Sequence, residues 1–191
     1  MLKKVKKRMT RSQDEKKYGH KIRKIFINCF LKKVLSEIEL GGAVDILDLG
    51  CGEGFPHHYF LERKRELRIT GIDLNSDLLE KAKNRNPLVN YFLGDIYSLK
   101  NNKCYDLLLM MEVLEHLINP KEVLLKAREI APLAIFSVPY EPWFSIFSFF
   151  SGKYLKTLGK HPEHVNFWNE KTFKKLLEEY YPQVKISISF P

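Results

Sequence analysis

The sequence has 191 residues, of which 45% are hydrophobic and 29% are charged, a composition that suits one soluble domain with a sizeable core. No apolar run is long enough to span a bilayer and the first residues are too polar for a signal peptide, so we expect a cytoplasmic protein. Three widely spaced cysteines (Cys29, Cys51 and Cys104) exclude a disulfide framework and a zinc knuckle.

The formal net charge of +9 is concentrated at the N-terminus. Residues 1–24 hold eleven Lys or Arg against two acidic residues, and the rest of the chain is neutral overall. A basic segment of this kind can attract RNA or an anionic membrane surface without specific contacts. The simpler interpretation, which we favour, is a solvated terminus that aids solubility.

Hydrophobic periodicity predicts a helix followed by alternating strands and helices. Apolar residues recur at three- and four-residue spacing through residues 14–40, and Gly41-Gly42 ends this helix. The predicted strands are 44–49, 68–73, 89–93, 105–111 and 133–138, with helices at 55–67, from about 76, and at 121–130 and 170–181, and a last alternating strand at 184–190. This order predicts an α/β fold with a doubly wound, mainly parallel sheet, helices on both faces and a ligand at the strand carboxyl ends.

The first strand runs directly into a glycine-rich turn with Gly50, Gly52 and Gly54 at every second position. Glycine allows positive φ and lets the backbone approach a ligand that a Cβ would exclude. An ordinary tight turn between strand and helix is the alternative, since the motif alone is weak. In the helix that follows, Phe55, Tyr59, Phe60 and Leu61 are predicted to face inward.

Two further acids end predicted strands at the same edge. Asp73 lies about twenty residues beyond the glycine turn, where a carboxylate can accept two hydrogen bonds from a ribose diol. It can also cap the helix that starts near Ser76 and Asp77. Asp95 can accept a hydrogen bond from an adenine amine while Ile96 packs on the ring, or it can form an Asx-type turn.

Four segments together resemble the class I S-adenosylmethionine-dependent methyltransferases, in the group of small methyltransferase domains that includes ubiquinone-biosynthesis O-methyltransferases. They are 46–54, 71–75, 94–96 and 112–117, in the family's order within residues 44–138. A nicotinamide dehydrogenase would normally show Gly-x-Gly-x-x-Gly instead. The resemblance implies that Asp48 and the turn (Gly50, Cys51, Gly52 and Gly54) hold the methionine portion of S-adenosylmethionine, Asp73 the ribose, and Asp95 and Ile96 the adenine. Leu74 and Met111 complete the expected cofactor-binding set.

Glu112, Glu115 and His116 are the candidate catalytic residues. If a helical turn begins at Glu112, these positions share one face beside the methyl group. His116 can then act as a general base. The resemblance offers two alternatives: the run is a structural signature of the turn after the fourth strand, or it holds a divalent metal. Similar runs bind metal in small-RNA 3′-terminal 2′-O-methyltransferases and some quinone-pathway enzymes, but we do not favour a metal here.

The acceptor is expected to meet an insertion at about 140–168, which is long for such a connection and suits a lid. Its candidate substrate residues are Trp143, Phe144, His161 and His164. The simpler interpretation, which we favour, is that the aromatic side chains pack on the domain; they can also enter a membrane interface. We therefore divide the chain into a basic arm and helix, 1–40, and a methyltransferase domain, 41–191. The family adds an antiparallel strand beyond 184–190, where this sequence ends.

The predicted function is methyl transfer from S-adenosylmethionine to an unidentified, small and partly apolar acceptor. Two alternatives stay open at this point. One is a metal-assisted RNA methyltransferase that uses the basic arm, and the other is a non-catalytic module that keeps the cofactor fold for interaction.

Overall fold

The computed structural model describes residues 21–99, 104–139 and 165–188. Helices and strands alternate through this part of the chain. They are α1 (Lys21–Leu40), β1 (Asp45–Leu49), α2 (Phe55–Leu61), β2 (Arg68–Asp73), α3 (Ser76–Arg85), β3 (Asn90–Leu93), β4 (Leu107–Met111), α4 (Pro120–Ile130), β5 (Leu133–Ser137) and α5 (Glu170–Glu178). Short 3₁₀ turns occupy Ile96–Ser98 and Leu114–His116.

The strands form a five-stranded sheet in the order β3-β2-β1-β4-β5, in which every pairing is parallel. The chain winds outward from β1 to β3 and then returns to place β4 on the other side of β1. The winding direction reverses between β1 and β4, and open α/β sheets bind ligands in the crevice outside the carboxyl ends of the strands at such a point. The predicted doubly wound α/β fold is therefore confirmed.

The core lies on both faces of the sheet because β4 is apolar throughout. All five of its residues are buried, and alternate side chains point to opposite faces. Leu108 and Met110 pack with α4 and α5, while Leu107, Leu109 and Met111 pack with α1, α2 and α3. Burial on both faces fixes the register of the central strand, and with it the position of the strand ends.

The structure corrects the prediction for the helix after the glycine turn. The helix ends at Leu61 rather than 67, and in the turn that follows Arg63 N–H and Lys64 N–H both donate to the Phe60 carbonyl. Phe60 is buried as expected, but Phe55 is 42% exposed and His57 is fully buried in its place. The first turn therefore presents a polar side chain to the interior.

The predicted last strand is also wrong over its described part. Residues 183–188 form no strand; this segment instead lies against α1, where Lys185 Nζ is 2.6 Å from Glu37 Oε1 and Lys33 Nζ donates to the Ile188 carbonyl. Among the described helices, none is both long and apolar enough to cross a membrane.

Candidate functional site

The glycine turn at the carboxyl end of β1 has the predicted backbone conformation. Gly50, Gly52 and Gly54 all have positive φ, at 78°, 56° and 64°. The turn is bonded to the neighbouring strand, since Gly50 N–H and Cys51 N–H both donate to the Ile72 carbonyl, at 2.7 and 3.1 Å. Left-handed φ in three positions explains why glycine is required along this turn.

The space beside two of these glycines is taken by the protein itself. A Cβ at Gly50 would lie 2.6 Å from Cγ2 of Val113, and one at Gly54 would overlap the Tyr91 hydroxyl. The protein itself therefore excludes a Cβ at these two positions, and the close approach of a ligand to the backbone there stays a prediction. At Gly50 and Gly54, glycine serves close packing within the protein.

Asp73 joins the glycine turn to the end of β2. Its Oδ2 accepts Gly52 N–H at 2.8 Å and its Oδ1 accepts Asn75 N–H at 2.9 Å, and the residue is only 1% exposed. The cap of α3 is Asn75, whose side chain accepts from Asp77 N–H and Leu78 N–H. Asn75, and not Asp73, therefore caps α3.

A buried polar chain, which we call the His57 chain, runs from β1 to the end of α3. His57 Nε2 lies 2.8 Å from Asp48 Oδ2, and its Nδ1 lies 2.8 Å from the Tyr91 hydroxyl. Asn86 Nδ2 donates to that hydroxyl at 3.0 Å and to the Gly54 carbonyl at 2.8 Å. Only Asp48 of these side chains was identified from the sequence. The one sequence signal that could have indicated the other members is a histidine three residues after Gly54, in the first turn of the helix.

A second set of contacts holds the turn through Glu53, a residue that was not identified from the sequence. Glu53 is buried, and its Oε1 lies 3.0 Å from Lys81 Nζ. Arg85 Nη1 donates to the Glu53 carbonyl at 2.8 Å. Lys81 and Arg85 are four residues apart and so lie on one face of α3. The turn is therefore fixed to α3 through both side-chain and backbone atoms of Glu53.

The predicted adenine end follows β3. Asp95 Oδ1 accepts Tyr97 N–H at 2.9 Å, so Asp95 forms the Asx-type turn that we considered as an alternative. Ile96 and Met111 are buried, whereas Leu74 is 63% exposed. A turn of this kind occupies one carboxylate oxygen, so the adenine role of Asp95 remains a prediction alongside its structural one.

Glu112, Glu115 and His116 follow β4, but not as one helical face. Glu112 has a φ of 57°, and the helical turn begins at Leu114. Glu112 is exposed and accepts the Ser137 hydroxyl at 2.8 Å, whereas Glu115 is 1% exposed with its Oε1 3.7 Å from His116 Nε2. The expected shared face is therefore wrong, because a left-handed residue cannot begin an α-helical turn.

No group of three or more His, Cys, Asp or Glu side chains in residues 21–99, 104–139 and 165–188 is placed to hold a metal ion. The predicted substrate residues Trp143, Phe144, His161 and His164 lie outside the described residues. The segment that follows them contacts the turn after β4: Val165 and Asn166 N–H donate to the Glu115 carbonyl, at 2.9 and 3.1 Å. Asn166 Nδ2 also donates to the Leu117 carbonyl at 2.6 Å.

Comparison with known families identifies the domain that carries this site. Residues 46–131, which span the glycine turn, Asp73, Asp95 and the turn after β4, match the family model described as a methyltransferase domain. This part of the chain is therefore similar to methyltransferase domains, as the resemblance to the class I S-adenosylmethionine-dependent methyltransferases implied. The family resemblance read from four short motifs is therefore confirmed.

Similar sequences support the same family. The ubiquinone biosynthesis O-methyltransferase of Rickettsia bellii is 32% identical over 119 residues, which are 61% of this chain and 50% of the relative. The trans-aconitate 2-methyltransferase of Methylobacterium nodulans is 32% identical over 100 residues, 52% of this chain and 39% of the relative. This chain spans half or less of the length of these relatives.

Solved structures share the fold of this methyltransferase domain. Magnesium protoporphyrin IX methyltransferase from Synechocystis PCC 6803 has a TM-score of 0.66 at 15% identity, covering 88% of this chain and 82% of that one. The methyltransferase domain of bacterial CtHen1-C has a TM-score of 0.64 at 24% identity, covering 81% and 85%. At such low identity, these similarities show a common fold.

Proposed function

We propose that this chain is an S-adenosylmethionine-dependent methyltransferase that acts on a small, partly apolar acceptor. The observation that carries the proposal is the 2.8 Å hydrogen bond from Gly52 N–H to Asp73 Oδ2, which joins the glycine turn and the ribose-side acid into one site. The family match over residues 46–131 supports this assignment. The small acceptor is supported by relatives whose names refer to ubiquinone biosynthesis and trans-aconitate.

The geometry at Asp73 suits a ribose diol. A carboxylate accepts hydrogen bonds on both of its oxygens, whose spacing matches the two hydroxyls of a vicinal diol. Gly52 and Asn75 hold one oxygen each and so fix the orientation of the carboxylate plane. Because this orientation is set before the ligand binds, little ordering of Asp73 remains to oppose the recognition of two vicinal hydroxyls.

The bound cofactor supplies a methyl group on an activated sulfonium, so the protein's own part is mainly to hold donor and acceptor in line. Glu112 and His116 follow β4 at the crevice where the winding reverses. The His116 side chain is 26% exposed and can accept a proton from an acceptor hydroxyl as it is methylated. Glu115, being buried, positions this turn rather than contacting the acceptor.

The test is calorimetric titration of the full chain with S-adenosylhomocysteine. We expect saturable binding by the parent and a loss of about tenfold or more in Asp73→Ala, because a charged hydrogen-bond acceptor contributes roughly 1.5–3 kcal/mol. Asp77→Ala is the matched control, since Asp77 is exposed in the first turn of α3. No binding by the parent, or equal binding by Asp73→Ala, would contradict the proposal.

A second measurement separates an enzyme from a non-catalytic module with the same fold. Incubation with methyl-labelled S-adenosylmethionine and a cell extract should label a small-molecule fraction, and His116→Ala should reduce that labelling. Binding without any labelled product would instead favour the non-catalytic module.

A further inference from the structure

We propose that His57 is a positioning residue for the amino-acid end of the cofactor, acting through Asp48 and the glycine turn. This inference rests on the proposed function, because it assigns Asp48 and the turn to the methionine portion. His57 lies in the first turn of α2 and is fully buried. Burying a histidine costs free energy unless its ring nitrogens are hydrogen-bonded, so its two partners indicate which groups it keeps in position.

The direction of each hydrogen bond in the His57 chain follows from its members. Asp48 is an acceptor when ionised, so His57 Nε2–H donates to it across 2.8 Å. His57 Nδ1 is then the acceptor, and the Tyr91 hydroxyl donates to it across 2.8 Å. That hydroxyl in turn accepts from Asn86 Nδ2. In this arrangement each of the two imidazole nitrogens has one hydrogen-bond partner.

The same chain holds the glycine turn. Asn86 Nδ2 also donates to the Gly54 carbonyl, and the Tyr91 ring lies against Gly71, where an added Cβ would be 2.7 Å from Tyr91 Cδ1. His57 and Tyr91 rings stack with centroids 5.6 Å apart. The position of Asp48 relative to the turn is therefore set by side chains from α2, β3 and the end of α3.

Asp48 connects the His57 chain to the amino-acid end of the cofactor. The residue is 1% exposed, and its Oδ1 is buried with no hydrogen-bond partner among the described residues. His57 therefore fixes the carboxylate through Oδ2 alone. Removing the imidazole leaves a buried carboxylate without that partner, and it is then expected to rotate or draw in water. Asp73 and Asp95 are held by other groups, so the ribose and adenine ends should be unaffected.

The experiment compares two ligands by calorimetry on the full chain: S-adenosylhomocysteine, and methylthioadenosine, which lacks the amino-acid end. In His57→Ala we expect the affinity for S-adenosylhomocysteine to fall about tenfold to a hundredfold. The affinity for methylthioadenosine should change by less than about threefold. His57→Gln, whose amide can still donate to Asp48, should recover part of the lost affinity. His58→Ala is the control, because its side chain is 51% exposed on the same helix.

The outcomes separate the two proposals. If the parent binds neither ligand, the proposed function fails. If the parent binds both and His57→Ala weakens them equally, or weakens neither, the positioning role is wrong while the cofactor site stands. If His57→Ala does not fold, Tyr91→Phe decides the matter, since it keeps the ring on Gly71 and removes only the hydroxyl that bonds to His57 and Asn86. Tyr91→Phe should then weaken S-adenosylhomocysteine selectively, and equal binding of that ligand by parent and variant would overturn the inference.

Discussion

Gly42 and Gly54 allow the packing requirement of the glycine turn to be measured apart from its backbone conformation. Both residues have a φ of 64°, but nothing lies within 4 Å of a Cβ added at Gly42. At Gly54 the same Cβ would overlap the Tyr91 hydroxyl and lie 2.9 Å from Asn86 Nδ2. The backbone penalty of Gly→Ala is therefore common to the two sites, and the steric penalty belongs to Gly54 alone.

The expected magnitudes differ by more than the error of the measurement. Left-handed φ costs Ala about 1–2 kcal/mol, and the lower entropy of the unfolded chain returns about 0.4–1 kcal/mol. Gly42→Ala should thus cost about 1 kcal/mol. Gly54→Ala adds overpacking of about 1–3 kcal/mol and disturbs buried hydrogen bonds worth about 1–3 kcal/mol. We expect its free energy of unfolding to fall at least about 2 kcal/mol further than that of Gly42→Ala.

Equilibrium unfolding in urea measures the free energy of unfolding of both variants. The deciding comparison repeats Gly54→Ala in a chain that also carries Tyr91→Phe. Removing the hydroxyl removes the shortest contact of the Ala Cβ at position 54 and leaves the one to Asn86 Nδ2 at 2.9 Å, so Gly54→Ala should cost at least about 1 kcal/mol less in Tyr91→Phe than in the parent. Equal losses for Gly42→Ala and Gly54→Ala, together with no coupling to Tyr91, would refute the packing argument. The glycine at 54 would then serve backbone conformation alone.

Two further predictions concern titratable groups. Backbone N–H groups of Asp45 and Val44 hold the pKa of the Asp106 carboxyl below its usual range. The stability that the ionised carboxyl contributes is present above the unfolded pKa of about 4 and is lost as pH falls through the folded pKa. The urea midpoints of the parent and Asp106→Asn should therefore differ at neutral pH and converge in acid. Burial raises the pKa of Tyr181 to about 12, so the folded state loses stability as pH rises above the unfolded pKa of about 10. Since the described part of the structure gives the Tyr181 hydroxyl no hydrogen-bond partner, Tyr181→Phe should leave the thermal midpoint unchanged or raise it, and should remove that alkaline loss.

The carboxyl edge of the sheet around the glycine turn could be predicted because its signals are local in the sequence. The apolar run through β4 is what a strand covered on both faces requires, and glycines at every second position indicate left-handed turns. Asp73 lies about one strand–turn–helix unit beyond the turn, which places it at the carboxyl end of the next parallel strand. Short-range spacing and parallel topology together therefore determine which backbone ends meet.

The polar side chains that hold this edge could not be predicted in the same way. His57, Tyr91 and Asn86 meet across separations of 34 and 5 residues, and only the packing of α2 and α3 on the sheet brings them together. In the sequence, Tyr91 belongs to an apolar run and is indistinguishable from an ordinary core aromatic. The positive φ of Glu112 had no sequence signal either, because non-glycine residues adopt it under tertiary constraint.

The two sides of the crevice are held by different parts of the chain. Gly52, His57 and Tyr91, on the side where we propose that the cofactor binds, belong to the stretch from β1 to β3, where their contacts are buried. On the other side, Glu112 is held in its strained conformation by the Ser137 backbone and hydroxyl, and the Glu115 carbonyl accepts from residues 165–166. A displacement of Ser137 or of residues 165–166 would therefore reach the turn bearing Glu115 and His116 through backbone hydrogen bonds, whereas the contacts of Asp73 and His57 given above lie within the stretch from β1 to β3.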